Sequence, residues 1–217
     1  MPAGLNDSKA ITEAEREAIY TALTADPRVR WAVSIIDHDT IDRINILQAA
    51  LGAMRNSALD VHKQAPGLDY LLVDGNKLPK DLPCPARAVV KGDATVACIA
   101  AASIIAKVTR DRLMLELDKL HPEYGFAQHK GYGVPQHMAA IHTHGPSAVH
   151  RRSFEPVKSM TGWTREKALV VEAEDAKKAT AGKATATRKR KQSSADVGAV
   201  ATAPASSRRS GKRSNRT

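Results

Sequence analysis

Two aspartates stand at the ends of short apolar segments, and their side chains could bind metal ions. Asp74 follows the run 70–73, and Asp93 follows the run 88–90 and Gly92. Carboxylates at neighbouring strand ends can converge at the edge of an α/β sheet, and hard oxygen ligands suit Mg²⁺ or Mn²⁺. Two such ions about 4 Å apart can hydrolyse a phosphodiester. The alternative is an ordinary turn role, because Asp beside Gly is common in turns.

Six of the eight histidines lie between residues 121 and 150, and basic residues stand beside two of them. Zinc binding is one interpretation, but no cysteine lies nearby and the spacings match no zinc ligand set. A loop that faces phosphate groups fits the pattern better, with Tyr132 between two glycines as a ring that could stack on a sugar or base. A surface or capping role stays open for each single histidine. The basic neighbours are Lys130, Arg151 and Arg152.

A further acid, Asp111, lies on a predicted helix close to these motifs. Lys107 precedes it by one helical turn. A surface ion pair between the two side chains explains Asp111 without a catalytic role.

The first half of the chain carries signals for a helix, a strand and a second helix. Thr12 and Glu15 form a capping-box pattern, which predicts a helix of about three turns. Residues 29–36 alternate apolar and polar side chains and predict a half-buried strand. From Thr40 onward, apolar side chains recur at three- and four-residue steps as far as Met54, which predicts a single amphipathic helix.

The second half adds the strands that carry the two aspartates and two more helices. Residues 70–73 predict a strand buried on both faces, and residues 88–90 predict another short strand. A segment without Gly or Pro continues through Lys119 and predicts one long helix. Pro135 and Gly145 bracket a short helix. Strands that alternate with helices predict an α/β fold.

The charge of the chain is concentrated at its C-terminal end. The formal net charge is +10, and residues 176–217 alone carry +11, which leaves −1 for residues 1–175. Residues 176–217 also contain almost no large apolar side chains, which predicts a disordered tail. We therefore expect a nearly neutral folded domain with a basic tail that attracts polyanions.

The cysteines and apolar runs predict a cellular location. Cys84 and Cys98 are the only cysteines, and a chain of this size needs no disulfide, which favours a reducing compartment. The first residues show no apolar core of a secretory signal, and the longest apolar run, 96–106, is too short to span a bilayer. We expect a soluble, cytoplasmic protein.

Eight short motifs occur in a fixed order along the chain. They are GLNDSK at 4–9, IDRINILQ at 41–48, VDGN at 73–76, VKGD at 90–93, ASIIAKVTRD at 102–111, YGF at 124–126, HKGYG at 129–133 and HRRSF at 150–154. Over nearly all of residues 2–158, their order and spacing closely resemble those of the bacterial ribonuclease HII family.

This resemblance implies a ribonuclease H-like mixed sheet flanked by helices, four catalytic acids and a divalent cofactor, Mn²⁺ or Mg²⁺. Asp74 matches the third catalytic acid, and Asp93 matches the fourth. Tyr132 matches the tyrosine that packs on the deoxyribose at an RNA–DNA junction. The other residues predicted to bind the substrate are Lys9, Lys130, Arg151 and Arg152.

The chain departs from the family in one motif, Gly-x-Asp-Glu-x-Gly-Arg-Gly, which it does not contain. That motif carries the first two catalytic acids and a ribose-reading loop. Because the match begins at Pro2, we expect that this sequence starts inside the domain, as the result of a mis-assigned start codon or a fragmentary gene model. An unpaired sheet edge and exposed apolar area should follow. Two acids alone should hold two ions poorly, so we expect this chain to show no detectable cleavage.

The resemblance implies an endonuclease that hydrolyses the RNA strand of RNA/DNA hybrids and ribonucleotides embedded in duplex DNA, in primer removal and ribonucleotide repair. The alternative is a catalytically inactive fragment that binds hybrids. We expect a monomer without membrane partners, a catalytic domain in 1–158, a linker in 159–175 and the basic tail in 176–217. For residues 188–191, a nucleic-acid-binding arm is favoured over a nuclear localisation signal.

Overall fold

The computed structural model describes residues 11–65 and 67–166, which all belong to one unit of the chain, Met1–Ala168. Helices surround one small parallel sheet, and the predicted α/β class is confirmed. In chain order the elements are α1 (Glu13–Ala25), α2 (His38–Ile44), α3 (Ile46–Gln64), β1 (Leu71–Asp74), β2 (Ala86–Val89), α4 (Gly92–Thr95), α5 (Ala97–Leu120), a 3₁₀ turn (Pro122–Tyr124), α6 (Phe126–His129), α7 (Pro135–His144) and α8 (Val157–Thr161).

Helix α1 begins at the predicted capping box. The Glu15 backbone N–H donates to Thr12 Oγ1 at 3.3 Å, and the Thr12 N–H donates to Glu15 Oε2 at 2.7 Å. These bonds satisfy N–H groups that the first turn cannot pair internally. Ile19 and Leu23 are buried on the side of α1 that packs against α5. The prediction of this helix is confirmed.

Residues 29–36 form no strand, and that prediction was wrong. Two polar contacts join this segment to α3: Gln64 Nε2 donates to the Trp31 carbonyl at 3.3 Å, and Asn56 Nδ2 donates to Ser34 Oγ at 3.4 Å. Val33 packs against the core between α1 and α5. The alternation does not predict burial here, because Trp31 is 36% exposed and Ile35 is 63% exposed, and no strand lies alongside within the described residues.

Two segments that were predicted as single helices are each interrupted by one residue. Asn45, at φ 73°, separates α2 from α3, and its side chain accepts the Gln48 N–H at 3.0 Å. Val96 is extended and separates α4 from α5. One non-helical residue leaves the apolar spacing on either side nearly unchanged, so periodicity does not reveal the break. The helix between Pro135 and Gly145 is confirmed as α7.

The sheet consists of β1 and β2 in parallel, with Leu71 opposite Ala86 and Asp74 opposite Val89. A mixed sheet was expected, but the strands within residues 11–65 and 67–166 are parallel; the second edge of β1 has no strand partner there, in line with the expected unpaired sheet edge. An apolar cavity of about 540 Å³ adjoins β1, α3 and α5. Leu72 is 38% exposed, so the predicted burial of this strand on both faces was wrong.

The core contains two separate clusters of buried side chains. The first joins α1 to the N-terminal half of α5, and the second joins the C-terminal half of α5 to the 3₁₀ turn, α6, α7 and α8. The first contains Ile19, Leu23, Ala101, Ile104, Ile105 and Val108; the second contains Met114, Tyr124, Phe126, Ile141 and Val157. Helix α5 therefore runs through both.

No helix among the described residues has the length and apolar character needed to cross a membrane.

Candidate active site

Asp74 ends β1, and a hydrogen bond connects its carboxylate to the start of α4. The Gly92 N–H donates to Asp74 Oδ1 at 2.8 Å. Gly92 directly precedes Asp93, so this bond holds the backbone at Asp93 beside Asp74. Because β1 and β2 are parallel, both residues follow strands that end at the same edge of the sheet. The structure thus places the start of α4, where Asp93 lies, beside the Asp74 carboxylate.

Only glycine fits at position 92 without movement of its neighbours. A Cβ atom there would lie 2.5 Å from Ile99 Cδ1 and 3.3 Å from Asp74 Oδ1. Lys91, the residue before it, adopts a left-handed conformation at φ 54°. This tight turn allows the chain to pass directly from β2 into α4 and leaves Asp93 in the first turn of that helix.

The two carboxylates suit Mg²⁺ or Mn²⁺ by their chemistry. Both ions prefer oxygen ligands, and Mg²⁺ commonly retains several waters while it binds one or two carboxylates. In the described part of the chain, no group of three or more His, Cys, Asp and Glu residues could hold a metal ion. Two carboxylates alone therefore do not make a complete ligand set within the described residues.

Tyr132 lies in a second region, beside an open pocket of about 390 Å³. Its side chain is 53% exposed, and Lys107 Nζ lies 5.7 Å from the ring centroid. The pocket is also lined by Glu13, Arg16, Asp111, Gln128, His129, Lys130 and Val134. An exposed ring among basic side chains can stack on a sugar or base while cations contact phosphate.

Lys130 lines the same pocket, and its contacts hold the loop that carries Tyr132. Its Nζ donates to the Ala127 carbonyl at 2.6 Å, and its own carbonyl accepts from Arg110 Nη2 at 3.1 Å. The backbone is left-handed at φ 51°. Lys130 and Tyr132 are therefore neighbours in one loop, as their spacing predicted, but the Lys130 ammonium already has a backbone partner.

Asp111 pairs with Lys107, as the helical spacing predicted. Lys107 Nζ lies 2.6 Å from Asp111 Oδ1. The prediction of a surface pair was wrong, because the two side chains are only 19% and 10% exposed. Both residues also line the pocket beside Tyr132.

Arg151 and Arg152 contact different partners. Arg152 Nη2 contacts Asp39 Oδ1 at 2.5 Å. The Arg151 guanidinium lies over the Phe154 ring at 3.9 Å from its centroid, and burial lowers the pKa of Arg151 from its ordinary value. Lys9 and the basic tail, both assigned to substrate binding, lie outside the described residues.

Comparisons with known proteins agree with the motifs. Residues 2–157 match the sequence model of the family described as Ribonuclease HII. A ribonuclease HII of Xanthomonas oryzae pv. oryzae is 52% identical over 155 residues, which are 71% of this chain and 60% of that protein. This chain belongs to the ribonuclease HII family. A ribonuclease HII of Geobacter sulfurreducens is 51% identical over 162 residues, 75% of this chain and 72% of that protein.

A solved structure supports the fold. The ribonuclease H2 of Pyrococcus horikoshii OT3 superimposes with a TM-score of 0.52 at 23% identity, over 76% of this chain and 82% of that chain. The predicted ribonuclease H-like fold is thereby confirmed. Against the Xanthomonas ribonuclease HII proteins, the chain spans 60% to 65% of their length.

Asp42 joins the two ribonuclease HII motifs at 41–48 and 150–154, and neither motif alone indicates this contact. Asp42 is only 4% exposed, and it accepts the N–H groups of Arg152 at 2.7 Å and Ser153 at 2.9 Å. It also accepts the Ser153 hydroxyl at 2.5 Å. The partners are more than a hundred residues apart in sequence, so only the recurrence of both motifs could have pointed to this contact.

Proposed function

We propose that this chain supplies part of the active site of an RNA/DNA hybrid endonuclease that also cleaves ribonucleotides embedded in duplex DNA; with only Asp74 and Asp93 of the four implied acids, residues 1–217 by themselves should show no detectable cleavage. It would use Mn²⁺ or Mg²⁺ and act as a cytoplasmic monomer in primer removal and ribonucleotide repair. The observation that carries the proposal is the hydrogen bond from the Gly92 N–H to Asp74, which holds the backbone next to Asp93 beside the Asp74 carboxylate. The division into a catalytic domain (1–158), a linker (159–175) and a basic tail (176–217) belongs to the same proposal.

Each region would have its own task in this reaction. Asp74 and Asp93 would supply oxygen ligands to the cation, and the Gly92 N–H would fix the orientation of the Asp74 carboxylate. A bound divalent ion supplies a positive charge that stabilises the charge developing on the scissile phosphate. Tyr132 would pack on the sugar at the junction, while Lys9, Lys130, Arg151 and Arg152 contact the substrate around it.

The test of the metal assignment uses Mn²⁺ titration by calorimetry. Asp74→Asn and Asp93→Asn should each weaken Mn²⁺ binding, while Asp60→Asn should not, because Asp60 is a half-exposed acid paired with Lys63 on α3. Any cleavage of a labelled RNA/DNA hybrid should fall about 100-fold or more in the first two variants. Cleavage that neither substitution lowers would refute the assignment.

A non-cutting hybrid-binding protein is the second candidate. It is favoured by the number of acids: in residues 11–65 and 67–166 no site gathers three or more potential metal ligands. The two candidates differ in one measurement on the 217-residue chain. Mn²⁺ binding that Asp74→Asn and Asp93→Asn each weaken supports the enzyme; hybrid binding without any Mn²⁺ binding supports the binding protein.

The basic tail would contribute affinity without selectivity. Residues 176–217 carry a net charge of +11, and contacts between cations and phosphates release counterions regardless of base sequence. Deleting them should weaken binding and flatten its dependence on salt, while the preference for hybrid over duplex DNA stays the same. An unchanged salt slope would exclude the tail from binding.

A further inference from the structure

Three histidines form a compact group beneath the loop that carries Tyr132. We call His129, His137 and His150 the imidazole cluster. The rings of His129 and His137 stack with centroids 4.4 Å apart, and Nε2 of His137 lies 3.3 Å from Nε2 of His150. His137 and His150 are only 5% and 8% exposed. No role in metal binding or cleavage has been given to these rings so far.

The partners of His137 and His150 determine which nitrogen carries the proton in each ring. His137 Nδ1 lies 2.9 Å from the Tyr132 carbonyl, which can only accept, so this nitrogen carries hydrogen. His150 Nδ1 receives the Ser147 backbone N–H at 3.1 Å, so it must be unprotonated. The Nε2–H of His150 therefore donates to Nε2 of His137. The chain of donors runs from Ser147 through both rings to Tyr132.

His129 holds the neighbouring residue of the same loop. Its Nδ1 accepts the Gly131 N–H at 3.3 Å, and its Nε2 lies 2.8 Å from the Tyr124 carbonyl, to which it must donate. The stacked rings of His129 and His137 thus hold the Gly131 N–H and the Tyr132 carbonyl, two consecutive residues. Gly131 is left-handed at φ 74°, a conformation that this loop requires before Tyr132.

The surroundings favour the neutral form of the two buried rings. Burial lowers the pKa of His150 to about 4, with His137, His121 and Arg151 contributing in the same direction. Burial also lowers the pKa of His137, and His129 and Arg151 add to this effect. Near neutral pH both rings therefore remain uncharged and keep one acceptor nitrogen each, which the chain of hydrogen bonds needs.

We propose that His137 is a positioning residue for Tyr132, held in the Nδ1–H tautomer by His150 and stacked on His129, so that the imidazole cluster fixes the direction of the exposed Tyr132 ring. The inference rests on the proposed function in one respect, that Tyr132 contacts nucleic acid. It adds that the contact depends on buried rings that do not touch the substrate themselves.

The first test measures the tautomers and needs no substrate. Long-range ¹H–¹⁵N correlation spectra of the 217-residue chain at pH 7 should show His137 as the Nδ1–H tautomer and His129 and His150 as Nε2–H tautomers. Free histidine in water favours Nε2–H, so the assignment of His137 is a specific prediction. A His137 ring with its proton on Nε2 would overturn the proposal.

The second test separates the two hydrogen bonds of His137. In His137→Asn, the side-chain amide can take the place of Nδ1 and still donate to the Tyr132 carbonyl. In His137→Gln, the amide can take only the place of Nε2, so it keeps the contact with His150 and loses the one with Tyr132. The amide signals of Gly131 and Tyr132 should therefore move in the Gln variant and stay near their original positions in the Asn variant. Equal displacement in both variants would overturn the positioning role.

The third test connects the cluster to substrate binding. Without divalent ions, His137→Gln should lower affinity for a hybrid on the order of tenfold, which is the size of one lost stacking contact, and His137→Asn should stay within about twofold. In a Tyr132→Ala background, His137→Gln should cause no further loss. An equal loss in both backgrounds would mean general destabilisation and would overturn the inference. If Tyr132→Ala alone leaves affinity unchanged, the proposed substrate contact fails, and the amide shifts still decide whether His137 positions the loop.

Discussion

The sheet edge and the imidazole cluster are held in place to very different degrees. The sheet edge, meaning β1 with Gly92 and Asp93, has four-residue strands beside an apolar cavity, and Leu72 is 38% exposed. In the imidazole cluster, all six ring nitrogens have hydrogen-bond partners. Few packing contacts therefore hold Asp74 and Asp93, which are proposed to bind metal. Many hydrogen bonds hold the loop of Tyr132, which is proposed to contact the substrate.

The difference follows from how each region is built. A two-stranded sheet is only marginally stable by itself, so β1 and β2 depend on α4 and α5 for their position. The imidazole cluster instead lies against Tyr124 and Phe126, which belong to the second core cluster. We expect substitutions near the imidazole cluster to change stability strongly and those at the open face of β1 to change it little.

The largest effect is expected for Asp42, which anchors the segment that follows His150. Asp42→Asn removes one acceptor for the Arg152 and Ser153 N–H groups and places an amide donor against a donor. The free energy of unfolding should fall by about 3 kcal/mol, since one buried partner is left unsatisfied. Urea denaturation of the 217-residue chain measures this.

Asp39→Asn is the matched control for Asp42→Asn. Asp39 also pairs with Arg152, but its side chain is 59% exposed, so its loss should cost less than about 1 kcal/mol. Equal costs for the two variants would show that the junction between motifs 41–48 and 150–154 is less well held than its burial indicates.

Acid should weaken the imidazole cluster next. Because the pKa of His150 is lower in the folded chain than the ordinary 6.5, the unfolded chain takes up protons first as the pH falls. Stability is unaffected well above pH 6.5 and decreases between pH 6.5 and about 4. The loss from pH 7 to pH 5 should be about 2 kcal/mol for this ring.

The measurement is urea denaturation at a series of pH values, with His150→Gln as the control. That variant has no imidazole to protonate at position 150, so its stability should depend less on pH over the same range. If the parent and the variant lose stability in parallel, His150 is not the group responsible. Acid would then not distinguish the imidazole cluster from the sheet edge.

At the sheet edge, the tightest point is Gly92. Gly92→Ala would bring a Cβ to 2.5 Å from Ile99 Cδ1, and Ile99 is buried. We expect a loss of about 1–2 kcal/mol as Ile99 shifts. Gly52→Ala on α3 is the control, because no atom lies within 4 Å of the new Cβ; it should gain about 0.5–1 kcal/mol. A neutral Gly92→Ala would mean that the turn adapts freely.

Much of this organisation could be predicted from local signals, and the rest could not. Thr12 with Glu15 and Pro135 with Gly145 mark helix ends within a few residues, so these helices were located correctly. Asp74 and Asp93 were selected because each follows a short apolar run. By contrast, the contacts of Asp42 join residues more than a hundred positions apart, and no local pattern encodes them.

The histidines show the same limit in a different form. Their number between residues 121 and 150 was visible, but only the fold determines that His137 meets His150 across 13 positions. Burial, too, depends on tertiary packing: the Lys107–Asp111 pair follows from helical spacing, while its low exposure is not encoded by that spacing. Sequence reasoning therefore finds the groups that could act and misses the contacts that orient them.

The smallest effect is expected for Leu72, on the open face of β1. Leu72→Thr keeps a side chain that suits a strand and removes an apolar group that is 38% exposed, so stability should change by less than about 0.5 kcal/mol. Its neighbour Val73 lies on the opposite face and is only 8% exposed. Val73→Thr buries a hydroxyl there and should lower the free energy of unfolding by about 1–2 kcal/mol. The two substitutions are at neighbouring positions on opposite faces of β1. The difference between their urea denaturation midpoints therefore shows how strongly each face is buried. A Leu72→Thr variant as unstable as Val73→Thr would show that the cavity beside β1 is covered in solution. In that case the sheet edge would be as well supported as the imidazole cluster, and the contrast between the two regions would not hold.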